Sequence, residues 1–142
     1  MPSYFGAMLR CCELHLKLRQ PEAAWHDYED YLQAGGEATK LAPGTWLDLC
    51  RYAETGAAPE RALAEYQKLA QALPQERQSL QAQLGAARLC LKKLGRPQEA
   101  LAWFQAAHDS PIPHLDWEAA ITAGMREAKA ALSGAMPAAA GR

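Results

Sequence analysis

Valine and asparagine are absent from these 142 residues, isoleucine occurs only at 112 and 121, and threonine occurs four times. β-Branched side chains suit strands and are mildly resisted by helices, so a chain this poor in them, and rich in alanine and leucine, is expected to be all-helical. No apolar run approaches a bilayer span, and the first residues, MPSYFGAMLR, lack the charged start and apolar core of a signal peptide. Nor is there an excess of positive charge: the net charge is −1 and the pI is near 6.4, which argues against a nucleic-acid partner, since phosphate binding needs a basic field. These absences predict a soluble, cytoplasmic chain with no direct membrane insertion. The length suits one domain with a moderate core.

Catalytic signatures are missing as well. There is no GxxxxGK[ST], no GxGxxG and no HExxH, and His15, His26, His108 and His114 are scattered. The four cysteines, Cys11, Cys12, Cys50 and Cys90, form no CxxC pair. Cys11 or Cys12 with Cys90 and a histidine would make an unfamiliar zinc set; packed, reduced thiols are the simpler reading. The expectation is a non-enzymatic protein without cofactor or metal.

What the sequence does contain is a helix written three times. Arg19 to Leu32 (RQPEAAWHDYEDYL), Ala57 to Ala70 (AAPERALAEYQKLA) and Gly95 to His108 (GRPQEALAWFQAAH) follow one another at intervals of 38 residues. Each has a proline (Pro21, Pro59, Pro97), an alanine three residues on (Ala24, Ala62, Ala100) and an aromatic four beyond that (Tyr28, Tyr66, Phe104). Such a fixed period marks stacked repeats. Proline fits the first helical turn, where its missing N–H has no partner to lose.

Between these copies, apolar spacings of three and four predict further helices. One covers 3–18, with Tyr4, Met8, Cys11, Cys12 and His15 on its inner stripe and Ser3 as cap; another covers 45–55, capped by Thr45, after a loop from Gly35 to Gly44. The helix from Gln75 to Leu94 is expected to be the longest, and its Gly85, Ala86 and Ala87 predict a close crossing. Two prolines in DSPIPHLD end the pattern, and Asp116 is expected to cap a last helix, 117–132, whose apolar side covers the stack. Residues 133–142 have no periodicity and are expected to be a disordered tail. The first helix begins almost at Met1 with no polar capping repeat, which predicts that the array belongs to a longer chain or is covered by a partner.

Read as hairpins, the three units resemble the tetratricopeptide repeat family. The resemblance runs over about residues 3–111, in units of about 3–36, 44–74 and 75–111 with a cap at 115–132, so that 1–132 forms one α-solenoid of about seven helices. Ala100, Phe104 and Ala107 fall on the family's alanine, aromatic and alanine positions, as do Ala62, Tyr66 and Leu69, and Ala24, Tyr28 and Tyr31. The period of 38 exceeds the family's usual 34, and the pattern is shared by half-a-TPR and other helical-hairpin repeats.

The resemblance implies recognition of a peptide or helix in a concave groove lined by the first helix of each hairpin. Its candidate residues are Leu9, Glu13, Leu16 and Lys17, then Leu47 and Arg51, then Leu84, Arg88, Leu91 and Lys92. Arg51 and Arg88 would clamp a carboxylate with parallel donors. The asparagine of the family's chaperone-tail clamp has no counterpart here. The alternative is a structural or self-associating C-terminal region of a larger protein, membrane-anchored or not. A basic run (Arg88, Lys92, Lys93, Arg96) and an acidic one (Asp27, Glu29, Asp30) could complement each other between molecules.

Overall fold

The computed structural model describes residues 2–134, and among them there is no strand. Seven α-helices follow in order: α1 (Pro2–Lys17), α2 (Pro21–Gln33), α3 (Pro43–Tyr52), α4 (Pro59–Ala72), α5 (Arg77–Lys92), α6 (Pro97–His108) and α7 (Glu118–Leu132). The predicted tail lies outside the described residues except for Ser133 and Gly134, which close α7.

Prolines do open the helices. Pro21, Pro43, Pro59 and Pro97 occupy the first turns of α2, α3, α4 and α6, and the residues before them (Gln20, Ala42, Ala58, Arg96) make no side-chain capping bond. The predicted cap Thr45 is therefore displaced: α3 starts two residues earlier, and Thr45 lies inside its first turn. Asp116 does not cap α7 either; it pairs with Arg77 at 2.7 Å across from the start of α5, and a 3₁₀ turn, Leu115–Trp117, leads into the helix. α5 is shorter than its apolar pattern and equals α1 at 16 residues.

The hairpin turns repeat. Arg19 and Gly95, two periods apart, share φ values of 61° and 63°, and the residues after them adopt matching angles (Gln20 −119°, 68°; Arg96 −120°, 72°). The middle hairpin departs from this: a π-helical turn, Ala53–Ala57, extends α3. Such single turns insert an extra residue into a helix.

Each helix packs on the next, and α1, α3, α5 and α7 also touch in that order. The repeated alanines Ala24, Ala62 and Ala100 are fully buried, and Tyr28, Tyr66 and Phe104 are buried beside them. Burying side chains of this size stabilises by roughly 1.5–3 kcal/mol each. The predicted close crossing is present. Gly85 of α5 faces the ring of Tyr66 so closely that a Cβ there would stand 2.6 Å from it, and Gly124 of α7 meets the ring of Phe104 in the same way, at 2.2 Å. A glycine thus sits nineteen or twenty residues after each of these two aromatics. Nineteen residues after Tyr28 the chain has Leu47, which is buried in the core.

One polar group is deeply enclosed. Glu65 of α4 is 0% exposed; its Oε1 accepts from Tyr28 Oη of α2 at 2.7 Å and from Trp46 Nε1 of α3 at 3.0 Å, while Arg61 Nε donates to Oε2 at 3.3 Å. Three helices are tied to a single carboxylate. A buried charge left without such partners is costly.

Candidate functional site

The ten groove residues expected from the sequence separate into four places. Arg51, Leu84, Arg88, Leu91 and Lys92 come together around one cavity of about 370 Å³. Glu13, Leu16 and Lys17 line a different depression, beside Gly44, Thr45 and Asp48 at the start of α3. Leu9 lies in a third, with Phe5, Tyr31 and Gly36. Leu47 lines none of these: at 3% exposure it belongs to the core, and its assignment to the groove is corrected.

The cavity is built from odd-numbered helices with a floor from α6. Leu84 and Leu91, two turns apart on α5, form one apolar wall; Ala120, Ala123 and Gly124 of α7 form the other, and Phe104 reaches between them. Trp117 closes one end, with the Arg77 guanidinium over its ring at 4.2 Å from the centroid. The residues missed by sequence reasoning are those of α7, which is a wall of the cavity as well as a cover for the stack. Their signal was legible: Ala120, Ala123 and Gly124 make one helical face of small residues, with Glu127 a turn further along it.

Charge is concentrated along the rim. Arg88 forks onto Glu54, Nε to Oε2 at 3.2 Å and Nη2 to Oε1 at 2.9 Å, and Lys92 donates to Glu127 at 2.6 Å. Glu54 belongs to the π-helical turn and also accepts from Tyr66 Oη at 2.7 Å; Lys93 caps its carbonyl at 3.0 Å. Burial alone would raise the Glu54 carboxyl, but the Arg88 and Tyr66 hydrogen bonds outweigh it and hold the group below its ordinary range. The bond to Glu54 raises Arg88. Arg88 is therefore engaged within the chain and is not the free clamp expected. Arg51 is less bound: its ion partner is Asp48, one turn back on α3 at 3.9 Å.

Of the two charge runs, Asp30 alone has a side chain left without a partner among the described residues. Arg88, Lys92, Lys93 and Arg96 all find partners inside the chain, Arg96 on Glu60; Glu29 pairs with Arg61 at 3.2 Å and Asp27 with His15.

Chemistry of other kinds has little to work with. Cys12, Cys50 and Cys90 are buried, and burial pushes Cys12 up to about 12 and Cys90 to about 11, values at which thiols stay protonated. Cys11, expected on the packed stripe, is exposed, as is Tyr4, because α1 turns its Cys12 side to α2. Among the described residues no three His, Cys, Asp or Glu side chains gather as a metal set, and no helix is long and apolar enough to cross a membrane.

No protein-family model matches the chain, and no curated protein shows significant sequence similarity to it.

Proposed function

We propose that the chain is a tetratricopeptide-like α-solenoid and a non-enzymatic protein-interaction module, working in the cytoplasm. Its cavity between α5 and α7 takes an apolar side chain of a peptide or helix, and Arg51 meets a polar or acidic neighbour on the same segment. The observation that carries this reading is the convergence of Leu84, Leu91, Phe104 and Trp117 on one open cavity rimmed by cations. Apolar walls with a few placed charges suit peptide recognition better than a general polyanion, and the chain's balanced charge agrees.

A displayed peptide library selected against the intact protein tests the proposal. Ala123 is exposed on α7, so Ala123→Arg fills the cavity without entering the core. Selected peptides are expected to lose most of their affinity for that variant and part of it for Arg51→Ala. Binding that both substitutions leave unchanged would remove the cavity from consideration.

A further inference from the structure

The outer face of α1 carries a second surface, apart from the cavity. Tyr4, Ala7, Cys11, Leu14 and Leu18 follow one another at intervals of three and four, the seam spacing of a coiled coil, and all five are exposed, Tyr4 at 55%, Leu14 at 50% and Leu18 at 65%. The equivalent positions on α5, two periods later, are Leu80, Gln83, Ala87, Cys90 and Leu94, and every one is buried or half-buried. α5 has α4 on one side and α6 on the other, whereas α1, the first described helix, packs on α2 and α3. On α1, no described residue covers the same stripe.

We infer that this stripe is a self-association seam, occupied by α1 of a second copy of the chain in a parallel two-fold pair. Its charges favour that occupant and that direction. Arg10 and Lys17 lie along one edge of the seam; along the other edge α2 brings Asp30 to a cavity of about 170 Å³ lined by Tyr4, Ala7, Met8 and Cys11. Arg10, Lys17 and Asp30 are exposed and belong to no ion pair among the described residues. A two-fold axis along the helices sets the basic edge of each copy against the acidic edge of the other. An antiparallel pair sets like against like. A single helix of 16 residues gives an interface at the small end of the range, so the pair is a reversible, micromolar-range dimer.

Sedimentation equilibrium of the full chain under reducing conditions, from micromolar to near-millimolar concentration, is expected to show a monomer–dimer equilibrium; monomer throughout would overturn the inference. Leu14→Glu changes an exposed residue, so its circular dichroism stays native while association weakens by at least about tenfold; an unchanged dimer would mean the seam lies elsewhere. Arg10→Asp weakens the pair, and adding Asp30→Arg restores it. Orientation is read by mild oxidation in a Cys11→Ala background. Leu18→Cys alone gives a covalent dimer, whereas a covalent dimer formed only on mixing Leu18→Cys with Tyr4→Cys would establish the antiparallel arrangement and refute the parallel one. The cavity proposal is independent, since a monomer can still bind peptide at α5 and α7.

Discussion

The phenol of Tyr28 donates to Glu65 across 37 residues of sequence, at 2.7 Å and in full burial. The bond links the middle of α2 to the middle of α4, and the indole of Trp46 joins it from α3. Replacing Tyr28 by Phe removes one donor from a carboxylate that no water reaches. The expected loss is about 1–3 kcal/mol in a urea titration, with the slope unchanged because the fold is kept. Glu65→Ala, which strands both Tyr28 and Trp46, should cost more than Tyr28→Phe; equal costs would show that the network is not shared.

The glycines facing Tyr66 and Phe104 give a second measurement. At Gly85 a methyl would stand 2.6 Å from a ring that is itself enclosed, so Gly85→Ala is expected to destabilise by about 1–3 kcal/mol despite the better helix propensity of alanine. A control at Gly44, whose Cβ would meet open space near the start of α3, should be neutral or stabilising.

Turn geometry supplies a third. Arg19 holds φ 61° where its counterpart Gly95 holds 63°. An L side chain in that region costs roughly 1–2 kcal/mol, partly offset by the entropy glycine brings to the unfolded chain. Arg19→Gly should therefore raise stability by about 0.5–1 kcal/mol, read as a higher melting temperature.

Thiol titration and pH form the fourth. In the native protein one thiol, Cys11, should react with an aromatic disulfide near neutral pH, and all four after denaturation. Cys12 and Cys90 are raised by burial to about 12 and about 11 from 9.0, and Cys50, Tyr28 and Tyr66 are raised too, again by burial first. The folded chain keeps these protons when the unfolded chain releases them, so their stabilisation is complete below about pH 9 and is lost as pH rises through the folded values. Glu54 has the opposite sign: its lowered pKa stabilises above the ordinary carboxylate range and is lost on acidification. Denaturation midpoints should fall on both sides of neutrality, and Cys90→Ala should soften the alkaline limb.

The helices and the repeated frame were legible because Pro21, Pro59 and Pro97 and the alanine and aromatic places recur in register, and period is a local property of sequence. Four of the ten expected groove residues meet at one cavity for the same reason, since Leu84, Arg88, Leu91 and Lys92 share one face of α5, and Arg51 joins them from α3. The rest depended on how helices are rotated against one another. Leu47 shares the apolar spacing of a groove residue, and only the rotation of α3 turns it into the core. Arg88 looked free because its partner, Glu54, sits in a π-helical turn that no spacing rule predicts. Tyr4 and Cys11 share the apolar spacing of α1 yet face outward, because spacing fixes a stripe but not the direction it faces.

Tyr66 and Phe104 each press an aromatic ring directly on helix backbone, at Gly85 and Gly124. Backbone cannot change rotamer to relieve a displacement. The α4–α5 and α6–α7 contacts are consequently hard ones, and because the second of them frames the cavity, the spacing of its walls is set by ring on backbone and not by adjustable side chains.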